Sequence, residues 1–169
     1  MLSCKTISNT VTQGTVLCVK VGGIYLKIFL GAELEGAAGS RWFALQAEIS
    51  KRLSPIQDRD YGSELVSIAI ISIIMKEETI QDGAYKERKY YNRKEKYADI
   101  RLRINYKDFL KARDSDRREM YISHILKSVQ IACEKVGDSL NSNQLINDIK
   151  ELLINTDLLL KVKPEIDKI

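Results

Sequence analysis

Between Tyr85 and Arg103 the chain interleaves aromatic and basic side chains. Tyr85, Tyr90, Tyr91 and Tyr97 are set among Lys86, Arg88, Lys89, Arg93, Lys94, Lys96, Arg101 and Arg103. Basic side chains can follow a phosphate backbone while rings offer stacking faces, which is the chemistry of a single-stranded nucleic-acid site. Tyr and Arg are also enriched where protein interfaces concentrate their binding energy. A solvated sheet edge with lysine stems lying over apolar surface uses the same residues. The composition favours a protein-contact surface built on Tyr85, Arg88, Tyr90, Tyr91, Arg93, Lys94 and Lys96, with a nucleic-acid-binding module over 85–103 as the alternative.

Catalytic chemistry is harder to find. Glu33 with Glu35 and Asp58 with Asp60 are carboxylate pairs two residues apart. Such pairs do acid–base work only where a pocket shifts a pKa, and exposed acidic loops are the simpler reading. His124 is the only histidine; it adjoins the apolar stripe of a long helix and reads as a structural or surface residue. A hydrolase would have to gather Glu33, Asp60 and His124 from distant parts of the chain. Cys4, Cys18 and Cys133 form no CxxC pair or Cys/His cluster, which argues against a disulfide framework or a zinc site and for reduced thiols in a cytoplasm. Gly22-Gly23 and GAELEGAAG have neither the GxGxxG spacing nor the lysine of a phosphate loop. The expectation is a protein without metal, cofactor or catalysis.

The elements that must position these residues follow from hydrophobic spacing. The 169 residues carry a net charge of only +4, which suits one soluble domain better than a dedicated nucleic-acid binder. In 98–104, Ala98, Ile100, Leu102 and Ile104 share one face of a strand, opposite Asp99, Arg101 and Arg103. Asn105 and Tyr106 then open a short amphipathic turn with Phe109 and Leu110. A long helix follows, with Ile122, Ile125, Leu126, Val129, Ala132, Cys133 and Val136 on one stripe and Gly137 at its end. Leu65–Met75 is nearly continuous apolar sequence rich in isoleucine, which predicts a central strand covered on both faces. Val16–Leu30 reads as a β-hairpin turning at Gly22-Gly23; Lys20 and Lys27 interrupt it too often for a membrane span.

Gly31 and the glycines at 36 and 39 are expected to break that strand. A helix capped by Ser40 then carries Trp42, Leu45, Ile49 and Leu53 and stops before Pro55, and IQDRDYGS makes a surface connection. Asp82-Gly83 marks a turn before an edge strand around Tyr85–Tyr91. Asn141-Ser142-Asn143 cap a last helix with Leu145, Ile149, Leu152 and Leu153 inward. The expected fold is one α+β domain over residues 1–169, with an antiparallel sheet (the N-terminal hairpin, the strand at 65–75 and the strand at 97–104) and about three helices. Residues 1–14 and 161–169 are expected to be loosely ordered tails.

The order of segments FLGAELEG, RWFALQAEISKRL, DYGSELVSIAIISII, YADIRLRINYKDFLKA and RREMYISHILKSV resembles immunity proteins of bacterial polymorphic-toxin and contact-dependent growth-inhibition systems. The resemblance spans about Ile24 to Val136, and RLRINYKDF, within Asp99 to Ala112, is its most specific part. It implies a small cytoplasmic protein that binds the toxic C-terminal domain of an effector, often a nuclease, and occludes it stoichiometrically without catalysing a reaction. Under that resemblance the tyrosine–basic residues become a toxin-binding patch. The alternative patch is the acidic set Glu33, Glu35, Asp58 and Asp60, filling a basic nuclease cleft. Many nuclease inhibitors are acidic, whereas this chain is mildly basic.

Overall fold

A computed structural model of the protein describes residues 26–61, 65–138 and 140–154. The first half of the expected hairpin and both expected tails lie outside these residues. The described chain runs β1 (Lys27–Leu34), α1 (Ala38–Leu53), a 3-10 helix (Ser54–Asp58), β2 (Ser67–Ile74), α2 (Glu77–Gln81), β3 (Arg88–Asn92), β4 (Tyr97–Arg103), α3 (Tyr106–Lys111), α4 (Asp114–Val136) and α5 (Ser142–Ile154).

The strands form one sheet in the order β1-β2-β4-β3. β2 is parallel to both β1 and β4, while β3 is antiparallel to β4. The sheet is therefore mixed, and the antiparallel expectation is corrected. The reason lies in the connections. A helix intervenes between β1 and β2, which returns the chain to the end where it started and makes the pair parallel. Only the short turn between β3 and β4 permits an antiparallel hairpin. The expected central strand is β2, buried from Ile68 to Ile74 and flanked on both sides.

Period-two alternation divides the sheet into two unlike faces. Ile28, Leu30 and Ala32 of β1, Ile68 and Ile70 of β2, and Ala98, Ile100 and Leu102 of β4 face one way, into the main core. Trp42, Leu45, Ile49 and Leu53 of α1, Phe109 of α3, the Ile122–Cys133 stripe of α4 and Leu145, Ile149 and Leu153 of α5 close over them. α4 crosses β2, β4 and β3, while α1 packs on β1 and α5 packs on both long helices. Arg117 ties this layer to α3, donating from Nε to the Phe109 carbonyl at 2.9 Å and from Nη2 to that of Ala112 at 2.6 Å.

Several local expectations change. Gly31 does not interrupt β1: it pairs with Ile71 inside an eight-residue parallel ladder, whose hydrogen bonds outweigh the weak strand preference of one glycine. The break comes at Gly36, where φ is +57° and an added Cβ would meet Tyr106 Oη at 3.0 Å, so only glycine fits without strain. That reversal starts α1 at Ala38, with backbone bonds to Glu35 and Gly36 satisfying its first N–H groups, and Ser40 falls inside the helix rather than capping it. The connection after Pro55 is not simply a surface loop, since Ile56 and Tyr61 are buried and Tyr61 Oη donates to Asp148 of α5 at 2.6 Å. α2 and α3 raise the helix number among the described residues to five: α3 is the short amphipathic turn expected after Asn105, and α2 has one buried apolar anchor, Ile80, that periodicity over a longer window passes over. Asn105 caps α3 by accepting from the Asp108 N–H at 3.0 Å, and Gly137 (φ 86°) ends α4.

His124 lies inside the helical layer, stacked on Tyr121 with ring centroids 6.3 Å apart. Burial, helped by the nearby Lys127 charge and opposed by Glu87, holds its pKa down to about 4. The unfolded chain therefore takes up this proton more readily than the folded one. The stability tied to His124 is complete above about pH 6.5 and is lost as pH falls toward 4, up to about 3 kcal/mol. Urea midpoints measured across that range should fall less steeply in His124→Gln than in the wild type.

Candidate functional site

Among the described residues, no helical layer covers the second face of the sheet, and its long side chains bury Ala69 and Ile71 of β2 beneath them. Among the described residues only α2 lies against it, where Ile80 packs with Ile73, Met75 and Tyr85 at one end. The register arranges the rest in rows across the strands. Lys27, Ser67, Tyr97 and Asn92 form the first row; Phe29, Ala69, Asp99 and Tyr90 the second; Gly31, Ile71, Arg101 and Arg88 the third; Glu33, Ile73 and Arg103 the fourth.

A charge network occupies the centre. Asp99 is only 3% exposed and accepts from Arg101 Nε at 3.1 and 3.3 Å, while Arg88 Nη1 lies 3.2 Å from its other side. Arg101 then reaches past β2, two strand spacings of about 4.8 Å each, to donate from Nη1 to Glu33 at 3.1 Å. Arg88 continues over the ring of Tyr90, 4.7 Å from its centroid. Burial pushes the Glu33 carboxyl above its ordinary range, and neighbouring Asp99 adds to that, outweighing the opposing charge of Arg101. Burial and Asp99 likewise raise the Tyr97 hydroxyl. Arg101 is held more firmly protonated: its partial burial alone would favour loss of the proton, but the bonds and charges of Asp99 and Glu33 prevail.

Two depressions flank the network. One, of about 230 Å³, lies at the first row between Lys27, Phe29, Ser67, Ala69 and Tyr97. The other, of about 180 Å³, lies beyond the opposite ends of β2 and β4, between Lys76–Glu78 and Asn105–Lys107.

The residues singled out in the sequence are distributed unequally over this surface. Arg88 and Tyr90 stand on the open face, Tyr90 40% exposed. Arg93 and Lys94 are exposed and Lys96 half-buried in the β3–β4 turn, where Lys96 adopts φ 53°. Tyr91 points the other way and packs against the main core, and Tyr85 joins the small cluster under α2. The acidic set is dispersed. Glu33 belongs to the network. Glu35 accepts from the Lys76 backbone N–H at 3.0 Å and from Thr79 Oγ1 at 2.8 Å, which fixes the start of α2. Asp60 is exposed on the connection whose neighbours Arg59 and Tyr61 bind Asp148 of α5. Asp58 ends the 3-10 helix, and its side chain lies outside the described residues. His124 and Glu33 stand on opposite faces of the sheet, so no hydrolytic site joins them.

Asp99 itself, with Phe29, is absent from the sequence-based site. Its signal was present as an acidic residue between Tyr97 and Arg101 on the polar side of an alternating strand, but its neighbours across the sheet are Ala69 of β2 and Tyr90 of β3, with Arg88 paired to it. Replacing Asp99 with alanine strands two guanidiniums. Both are part-exposed and can rehydrate, so the expected loss is about 2 kcal/mol rather than the larger cost of a fully buried pair. Glu33→Gln should cost under about 1 kcal/mol, and urea titration of the two variants measures the difference.

Compared with known proteins, the chain matches no curated protein and no solved structure. The family model of Immunity protein 44 (Imm44) matches it over residues 27–155. That span begins with the first residue of β1, ends one residue past α5 and takes in every strand and helix described above. The chain belongs to the Immunity protein 44 family.

Proposed function

We propose that this protein binds the toxic domain encoded with it and neutralises it one-to-one, by covering the surface with which that domain acts. In this reading the toxin is a nuclease of a bacterial polymorphic-toxin or contact-dependent growth-inhibition system, the encounter takes place in the cytoplasm, and the protein catalyses nothing. The observation that carries the reading is the open sheet face in a chain of an immunity family. One face is spent on the core; the other holds a fixed charge network beside an exposed tyrosine. Side chains already held by their neighbours lose little freedom when a partner arrives, which favours binding.

Arg88 and Tyr90 are the central contacts in this reading, with Arg93 and Lys94 extending the surface along the β3–β4 turn. The acidic alternative has less support, because Glu33 and Glu35 already serve Arg101 and α2 and do not form one patch with Asp60. A nucleic-acid platform wants several exposed rings in a row. Here Tyr85 and Tyr91 are turned into packed clusters.

Co-expression with the toxic domain encoded upstream, followed by affinity purification at moderate salt, tests the reading. A one-to-one complex, and survival only of cells that make this protein, is the expected outcome; death of those cells with no complex would overturn it. Given a complex, Tyr90→Ala should weaken binding by more than about 2 kcal/mol, roughly 30-fold. Tyr91→Ala should lower the melting temperature and leave the affinity of the folded fraction nearly unchanged.

A further inference from the structure

The open face is charged in a lopsided way that constrains what can land on it. Both of its carboxylates are already engaged: Asp99 by Arg101 and Arg88, and Glu33 by Arg101. The guanidiniums are not exhausted. Arg101 uses Nε and Nη1, and among the described residues its Nη2 has no partner. Arg88 is half-exposed and commits Nη1 alone to an ion pair. Arg103, one row further along β4, is exposed, and among the described residues its side chain forms no ion pair. Among the described residues the four rows thus present outward donors on three arginines and no acidic group without a partner, and Glu87 at their edge accepts from the Arg103 backbone N–H at 3.0 Å.

We propose that the partner segment received by this face is acidic, presenting carboxylates to Arg88, Arg101 and Arg103 and an apolar or aromatic side chain to Tyr90. The inference rests on the toxin-binding reading and specifies its chemistry: the protein grips an anionic patch of the toxin and does not imitate the nucleic acid the toxin would bind. Guanidinium groups match carboxylates bidentately, and a group such as Arg101, held by two partners, Asp99 and Glu33, is pre-set for a third. A phosphate strand fits less well. Two carboxylates lie within the face, and Tyr90 is its one large exposed ring among the described residues.

The test measures affinity of the full-length protein for the co-encoded toxic domain by calorimetry, from about 50 to about 500 mM NaCl. Wild type, Arg88→Glu, Arg103→Glu and Lys150→Glu on the remote helix α5 are compared. The expected result is a dissociation constant that rises about tenfold or more with salt and by a similar factor in each arginine variant, with Lys150→Glu unchanged. Arg103→Glu touches no ion pair, so its effect is free of any disturbance that Arg88→Glu causes at Asp99. A complex that forms with salt-independent affinity and ignores Arg103→Glu overturns the acidic partner while leaving the toxin reading standing. Absence of any complex throughout overturns both. A labelled single-stranded oligonucleotide that binds near physiological salt and is lost in Arg103→Glu assigns the arginines to nucleic acid and overturns the proposal.

Discussion

Asp99 is a carboxylate taken out of water on the surface of a sheet, and a charge in that position persists only if cations come to it. The alternation of β4 leaves no choice about where it points. Ile100 and Leu102 must face the helices, so Asp99, Arg101 and Arg103 must face away from them. Arg101 comes from the same strand, Arg88 from the hairpin partner β3, and through Arg101 the network reaches Glu33 on β1. One buried carboxylate thereby links three of the four described strands, on the side where no helical layer holds them among the described residues. The same demand places the Arg88 guanidinium over Tyr90, fixing the exposed ring and the cation as a unit.

Adjacent residues consequently meet opposite fates. Tyr90 and Tyr91 look equivalent in a run of RKYYN, yet one is an exposed ring above a charge network and the other is a packed support of the core. Arg117 and Arg88 differ in the same way. Arg117 is enclosed by carbonyls at the end of α3, where its charge satisfies helix-terminal acceptors. Arg88 remains half in water with capacity to spare. Residue type alone describes neither pair; the face on which each stands does.

Strand and helix identities were largely legible in the sequence, because the alternation of 98–104 and the stripe of α4 are direct physical periodicities. The all-antiparallel expectation leaned on Gly22-Gly23, a local turn signal that says nothing of how β1 pairs with β2, although the chain held a counter-signal. A run buried on both faces such as LVSIAIISIIM, preceded by a strand and a helix, is what a parallel strand in the middle of a sheet requires. The family resemblance over Ile24 to Val136 agrees with membership of an immunity family whose match continues through α5. Within the site, Arg88 and Tyr90 were legible as types that make contacts. Asp99 was not, because it is flanked by β2 on one side and β3 on the other, and pairing between strands is a long-range fact that no local pattern contains. The bond that Glu35 makes at the start of α2 was hidden for a similar reason: its partner Lys76 is distant in the chain and becomes its neighbour only when β1 and β2 align.

The size of the open face limits how it can be used. Four strands at about 4.8 Å spacing span about 19 Å, and strands of five to eight residues are about 17–26 Å long, a flat projection of about 400 Å². A stable interface of ordinary size takes about 800 Å² from each partner. A partner seated on the network must therefore overrun the sheet. The surfaces it would meet are the exposed Arg93–Lys94 turn past β3 and, beyond the ends of β2 and β4, the depression between Lys76–Glu78 and Asn105–Lys107. The first of these is cationic and the second of mixed charge. Preference for an anionic partner is then set along the β3 side, and the far rim supplies area and shape more than sign.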